Sequence, residues 1–198
     1  PMPNRTDRWF MVATLLIAVA AYGQADAPDV ASLRQARAEL DATVWADERL
    51  AQEYEHAFVA LWDDLRGSSD PIATLAAFPF DTITIADAGD FRARMLGIRE
   101  AVLEANPRPI DHVAWQAWLQ SWRERGFSLV QTEWHHASFD RSGDLPRSKF
   151  NIVLHGTGPD ELRFDVGGAI VVDWARERDV SGTPVVQAID ATGLTLRI

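Results

Sequence analysis

The densest cluster of side chains that could do chemistry is the run Glu133-Trp134-His135-His136, which lies in a stretch of alternating polar and apolar residues. Successive residues of a strand point to opposite faces of a sheet. We therefore expect one of the two histidines to face the interior and the other to face solvent or a partner, without knowing which. Because the two side chains point apart and no His-Glu-x-x-His motif occurs, we predict no metal site.

An acid–base pocket is the alternative use of these residues. His136, His155 and Asp173 could supply its base, and this hypothesis predicts that the three side chains converge on one pocket. An oxyanion donor is harder to find, because Tyr22 lies in an apolar N-terminal run and Tyr54 lies on an apolar helical stripe. No G-x-S-x-G motif supports acyl transfer. We therefore predict no catalytic residues and no cofactor.

A non-catalytic binding domain is the leading interpretation. Trp134 or His135, exposed on the outer face of the predicted sheet, would contact the partner. The full set of predicted binding residues is Glu133, Trp134, His135, His136, His155 and Trp174. The expected partner is another domain of the same protein or another extracytoplasmic protein, and a homodimer stays open.

The composition narrows the function classes. The chain has 198 residues, no cysteine and a formal net charge of −10. The lack of cysteine excludes disulfides, cysteine-ligated zinc, iron–sulfur clusters and a thiol nucleophile. The negative charge argues against binding to nucleic acid or to anionic membrane surfaces. The length fits one domain with a short extra segment.

Residues 1–27 have the pattern of a secretory signal peptide. Arg5 and Arg8 precede an apolar run of about 14 residues, and small residues follow at 23, 25 and 27. We expect cleavage after Ala25 and a secreted or periplasmic mature protein, with no other membrane segment. A short N-terminal anchor is the alternative.

Apolar spacing predicts helices early in the chain and strands later. Helices are expected at residues 31–66, 71–78 and 111–126, and a further helix is expected within residues 90–106. Pro107 and Pro109 are expected to break the chain there. A first strand is predicted at 80–85, and the period changes to two after Gly126. Later strands are expected at 127–136, 150–155 and 162–174, and the last strand material is expected at 185–188 and 194–196.

This order predicts an α+β domain over residues 28–198, in which N-terminal helices pack on a curved antiparallel sheet. The order of elements resembles the nuclear-transport-factor-like (SnoaL-like) cone, a fold that hosts enzymes as well as binding domains.

Two local sequence patterns indicate structural roles. Asp87 to Asp90 does not match a calcium loop and indicates an acidic turn, and Trp115, Trp118 and Trp122 indicate a helix core.

A second resemblance concerns the role of the domain. It rests on Trp115 to Leu119, Gly126 to Gln131, Glu133 to His136, Phe139, Ser148, Leu154-His155, Arg163-Phe164, Gly167 or Gly168, and Val172-Asp173-Trp174. Residues 35–198 are similar to the segment before the FG-GAP/VCBS propeller of secreted bacterial proteins of the cartilage-acidic-protein-like (ASPIC/UnbV-containing) class. The resemblance implies a companion domain without catalytic residues. No D-x-[DN]-x-D-G calcium loop occurs in this sequence, and we expect the chain to be a fragment of a longer protein.

Overall fold

The computed structural model describes residues 29–198, so the predicted signal segment 1–27 lies outside the described residues. The chain is α+β. Its helices are α1 (Val30–Gly67), α2 (Pro71–Ala77) and α3 (His112–Glu124). Its strands are β1 (Thr82–Ala88), β2 (Arg92–Ala93), β3 (Arg99–Asp111), β4 (Ser128–Asp140), β5 (Arg147–Thr157), β6 (Arg163–Arg178), β7 (Pro184–Asp190) and β8 (Thr195–Arg197). Short 3₁₀ turns span Met95–Gly97 and Pro159–Glu161.

The chain divides into two compact units, residues 1–48 and residues 49–198. In the first unit, the described residues form the beginning of α1. Asp29 caps this helix, because its carboxylate accepts the backbone N–H of Ala31 at 3.3 Å and its carbonyl accepts the Ser32 hydroxyl at 2.7 Å. Val44 and Trp45 are exposed in this unit.

The helices of the second unit confirm most of the predicted apolar stripes. Along α1, Tyr54, Phe58 and Leu61 are buried at helical spacing. Asp70 caps α2 by accepting the N–H of Ala73, and Asp111 caps α3 by accepting the N–H of Ala114.

The tryptophan stripe of α3 belongs to the core at Trp115 and Trp118, as predicted, while Trp122 is half-buried outside the core cluster. Trp115 is buried, and its ring centroid lies 5.2 Å from that of Trp118. Trp118 in turn lies 5.0 Å from Trp122. These ring contacts account for the spacing without a sugar- or base-stacking role.

The expected helix within 90–106 is wrong, because this segment forms β2, a turn and most of β3. Its apolar spacing misled the prediction, since Met95 and Leu96 are among the most exposed side chains and do not belong to a core. Pro107 and Pro109 lie inside β3 instead of breaking the chain. Residues 103–111 of β3 pair only with β1 in the described structure, so a proline without an N–H is tolerated there.

The strands form one sheet in the order β2-β3-β1-β7-β6-β5-β4. β8 pairs with both β3 and β6, and this closes a ring of five strands, β3-β1-β7-β6-β8. All the described pairs are antiparallel except β1 with β7, so the purely antiparallel sheet of the prediction needs this correction. Beyond the ring, β5 and β4 extend the sheet from β6, and β4 is its edge.

Aromatic rings fill the space between α1 and the strands of the extension. Phe58 lies 4.3 Å from Phe150 and 5.9 Å from Trp174, centroid to centroid. Tyr54 lies 5.1 Å from Trp174 and 4.9 Å from Phe139. These contacts fix α1 against the sheet and so position the polar side chains of β4.

Candidate functional site

The second half of α1 lies along the inner face of β4. Three of its side chains face three alternate residues of the strand. Glu55 faces His136, Phe58 faces Trp134, and Trp62 bonds to the backbone of Thr132. The helix spacing of three and four residues and the strand spacing of two bring one face of each element together. The inward histidine is therefore His136, and His135 is exposed, as expected of two neighbours on one strand.

His136 belongs to a buried chain of polar contacts. Its Nε2 lies 3.2 Å from the hydroxyl oxygen of Ser148, which also accepts the indole N–H of Trp174 at 3.0 Å. The Nδ1 atom of His136 lies 3.8 Å from a carboxylate oxygen of Glu55, and its ring stacks on Phe150. With a neutral imidazole, Ser148 donates to Nε2 and the Nδ1–H points toward Glu55. Every polar group of this chain has a neighbour.

These contacts give a serine, a histidine and a carboxylate in the order used by acyl-transfer enzymes. The burial of the Ser148 side chain excludes this chemistry. Ser148 is 0% exposed and its oxygen already accepts the Trp174 indole, so no substrate carbonyl reaches it. The arrangement is therefore a polar core that fixes the positions of β4, β5 and β6.

The three residues of the proposed acid–base pocket do not converge. Buried Phe150 and Ile152 alternate with exposed Lys149 and Asn151 along β5, so His155 belongs to the outer face. Asp173 is bound on that face by Arg147, at 2.6 and 3.1 Å. Eight residues separate Arg147 from His155, or about 25 Å of strand. Because His136 faces inward, the expected convergence is wrong.

The Arg147–Asp173 pair explains why Asp173 serves structure. The bidentate hydrogen bonds from the guanidinium join neighbouring positions of β5 and β6. The Asp173 carboxylate raises the pKa of the Arg147 guanidinium, first through the hydrogen bond and then through its charge. Asp173 is thereby held on the outer face by both hydrogen bonds from Arg147.

The two predicted binding tryptophans are not exposed on the outer face. Trp174 is 0% exposed and bonded to Ser148, so it cannot touch a partner. Trp134 is half-buried on the inner face, with its ring centroid 5.6 Å from that of Phe58. The prediction placed Trp134 on the outer face, which alternation assigns to Glu133 and His135.

An open groove of about 820 Å³ runs along β4, between that strand and the turn that joins α1 to α2. We call it the β4 groove. Its helical wall carries Trp62 and Arg66, whose guanidinium carbon lies 5.2 Å from the Trp62 ring centroid. The complete lining is Trp62, Leu65, Arg66, Ser68, Ser69, Pro71, Leu129, Val130, Gln131, Thr132, Glu133, Trp134 and His135.

Two polar atoms of this groove lining have no hydrogen-bond partner among residues 29–198. They are the hydroxyl oxygen of Thr132 and the indole nitrogen of Trp134, and both are buried. Thr132 is 6% exposed. A buried polar group without a partner costs on the order of 1–3 kcal/mol, which makes these two atoms exceptions among buried polar groups.

Sequence reasoning found Glu133, Trp134 and His135, but it missed Thr132, Trp62 and Arg66. Thr132 has an ordinary strand residue type, and only the structure shows that its hydroxyl is buried without a partner. Trp62 and Arg66 lie one helical turn apart on α1, and that spacing is the signal that could have identified them as one surface.

No group of three or more histidine, aspartate and glutamate side chains within residues 29–198 is arranged to hold a metal ion. None of the helices in that range is both long enough and apolar enough to span a bilayer.

No protein-family model matches this chain, and no curated protein matches it. Among solved structures, the chain is similar to a conserved protein from Planctomyces limnophilus DSM 3776, whose crystal structure is known. The TM-score is 0.45 and the sequence identity is 9%, over 73% of this chain and 94% of that chain. The functional interpretation therefore depends on this chain's own geometry.

Proposed function

We propose that this chain is a non-catalytic binding domain and that the β4 groove holds a segment of its partner. The observation that carries the proposal is the pair of buried polar atoms without a partner, Thr132 Oγ1 and Trp134 Nε1, in one groove wall. A ligand acceptor that enters the groove would remove the cost of both.

The chemistry of the lining indicates what the partner segment carries. The Trp134 indole only donates, and the Thr132 hydroxyl donates or accepts. Arg66 supplies an exposed guanidinium on the opposite wall, stacked on Trp62. Three donors around one groove favour a carbonyl- or carboxylate-rich segment. Thr132 Oγ1 and Trp134 Nε1 are both buried. A side chain of the groove wall therefore moves when the partner segment binds.

The same proposal includes the cone fold and the companion role. Helices that cover one side of a ring-closed sheet support a nuclear-transport-factor-like cone. A secreted domain beside a propeller is the setting that the resemblance of residues 35–198 suggests, and the partner is then the downstream domain or another extracytoplasmic protein. Reading the gene beyond the codon for Ile198 tests this part, because Asp-rich propeller repeats are expected there and any other sequence contradicts it.

A selection of random peptides displayed on phage tests the groove. Peptides enriched on the chain are labelled, and their Kd is measured by fluorescence anisotropy. Trp134→Ala is expected to abolish binding while the circular dichroism spectrum stays unchanged. Thr132→Val removes one hydroxyl with little change of shape, and Trp134→Phe removes the indole N–H while an aromatic ring stays. Each is expected to weaken binding about three- to tenfold, which corresponds to the worth of one hydrogen bond.

Trp122→Phe is the matched control, since it makes the same change on α3 at a ring contact outside the groove. Its Kd is expected to equal that of the wild type. The proposal fails if no peptide is enriched, or if the selected peptides bind the groove variants and the wild type equally well.

A further inference from the structure

The hairpin between β2 and β3 presents an exposed apolar apex. We call this apex, together with the arginines around it, the basic knob. Its apolar side chains are Phe91, Met95, Leu96 and Ile98. Met95 is 83% exposed and Leu96 is 95% exposed. Leu96 also has a φ of 62°, in the left-handed region where glycine or asparagine is easier to place. A strained leucine held in solvent contributes nothing to the core, so its side chain indicates contact with another surface.

Three arginines surround this apex in a chain whose net charge is −10. Arg94 forms an ion pair with Glu100, and the Arg99 guanidinium lies 5.5 Å from the centroid of the Phe91 ring. Within residues 29–198, neither Arg92 nor Arg99 has an ion-pair partner. The basic knob is therefore an apolar tip with unpaired positive charge.

A second open groove, of about 1010 Å³, has the opposite character. We call it the acidic groove. Its floor is apolar and its charged lining residues are Asp63, Asp64 and Asp179; no lysine or arginine lines it. Hydrogen bonds from the Ser181 hydroxyl and the Thr183 backbone lower the pKa of Asp179, so this carboxyl is ionised at neutral pH. The apolar floor includes Leu61, Phe78, Pro79 and Val186.

The knob and the acidic groove lie at opposite ends of β1. Phe78 and Pro79 of the groove come just before Thr82, where β1 begins. At the other end, Gly89 bonds to Val102, next to the knob hairpin. The seven residues of β1 span about 23 Å, so the knob of one molecule cannot enter its own groove.

We propose that this chain associates with copies of itself head to tail, with the basic knob of one molecule in the acidic groove of the next. Met95 and Leu96 meet the apolar floor, and Arg92 and Arg99 face Asp63, Asp64 and Asp179. Since two different surfaces meet, the contact is heterologous and continues into a ring or an open chain. A contact between a hairpin tip and a groove buries little area, so the association is weak.

Charge reversal tests the proposal in sedimentation-velocity experiments on the whole chain, from about 1 µM to about 1 mM. The wild type is expected to exceed its monomer mass of 22.0 kDa as the concentration rises. Arg92→Glu with Arg99→Glu, or Asp63→Lys with Asp64→Lys, places like charges in contact. Each pair is expected to weaken association about tenfold or more.

Two further samples restore opposite charges. An equimolar mixture of the two double variants is expected to associate, and so is the chain that carries all four substitutions. Lys149→Glu with Arg163→Glu is the matched control, because it makes the same charge change at exposed positions of β5 and β6. Leu96→Gly removes the apex side chain without backbone strain and is expected to weaken association while folding is kept.

The proposal is overturned if the wild type stays monomeric throughout, if the control pair weakens association as much as the knob pair, or if the mixture does not associate. It is also overturned if the chain stays monomeric and the knob instead binds vesicles of phosphatidylserine and phosphatidylcholine. The net charge of −10 opposes that attachment to an anionic surface.

Discussion

Along one face of β4, the buried polar atoms have polar neighbours at one end of the strand and none at the other. At His136, each polar atom has a neighbour, through Ser148 on one side and Glu55 on the other. At Trp134 and Thr132, two and four residues away, the buried polar atoms have no partner within the described structure. The strand, its neighbour β5 and the covering helix are the same, so the difference lies in whether the buried polar atoms have partners within the described structure, and the proposed binding role concerns only the atoms without them.

The largest expected change in the free energy of unfolding is at the end of β4 where His136 has polar neighbours, in the core around Trp174. Trp174→Ala removes a fully buried ring that contacts Tyr54 and Phe58 and leaves a cavity among them. We expect the free energy of unfolding to fall by about 3–5 kcal/mol. Urea denaturation followed by circular dichroism measures it. A loss below about 1.5 kcal/mol would mean that the core refills easily, and the claim of a fixed polar core would be wrong.

Ser148→Ala comes next, because it removes one hydroxyl and leaves two buried groups without their partner, the Trp174 indole and the His136 ring. The free energy of unfolding is expected to fall by about 1–3 kcal/mol. Ser138→Ala on the exposed part of β4 is the control and is expected to change it by no more than about 0.5 kcal/mol. Equal effects of the two substitutions would contradict the structural role of Ser148.

Thr132→Val is expected to change the free energy of unfolding in the opposite direction to Ser148→Ala. Valine keeps the shape of threonine but removes a buried hydroxyl that has no partner. We expect the chain without ligand to become more stable, by up to about 1 kcal/mol, and to bind selected peptides more weakly. Denaturation midpoints of wild type and variant measure the first effect. A destabilisation like that of Ser148→Ala would mean that Thr132 also serves folding.

The smallest effect concerns an exposed polar cluster. Hydrogen bonds from Arg94 and then Arg197 lower the pKa of Glu100 below its ordinary value of 4.5. A lowered pKa stabilises the fold above the unfolded value, and this contribution is lost as the pH falls through the folded value. The Tm of the wild type is therefore expected to exceed that of Glu100→Gln near neutral pH, and the gap should close below about pH 4.

Glu104→Gln on the same strand is the matched control for this titration. Glu104 is exposed and forms no ion pair among the described residues, so its Tm gap near neutral pH is expected to be small. A gap for Glu100→Gln that stays constant through pH 4 would show that the ion pairs of Glu100 do not stabilise the fold.

The sequence contained enough to predict the α+β class, the three helices and the alternation of His135 and His136. Periodicity and caps are local signals, and Asp70 and Asp111 cap α2 and α3 in the structure. Alternation alone did not decide which histidine faces inward, since a shift of one residue reverses every face. That choice depends on Glu55 and Ser148, which are distant in the chain.

Two of the wrong predictions have a common physical cause. Apolar spacing predicts a helix within 90–106, but Met95 and Leu96 of that segment are exposed. The alternative acid–base hypothesis predicts that His136, His155 and Asp173 converge, because it infers proximity from residue type. In both cases, the deciding quantity was which side of an element faces the interior, and that is set by tertiary contacts.

The ring of five strands has a consequence for the order of folding. Its closing strand, β8, has three residues and follows every other strand in the chain, yet it joins β3 and β6. On the ribosome, all the other strands emerge before Thr195 to Arg197 do. Until then, the edges of β3 and β6 that β8 will cover stay available to other chains or to chaperones, so the ring of five strands cannot close before Arg197 has been synthesised.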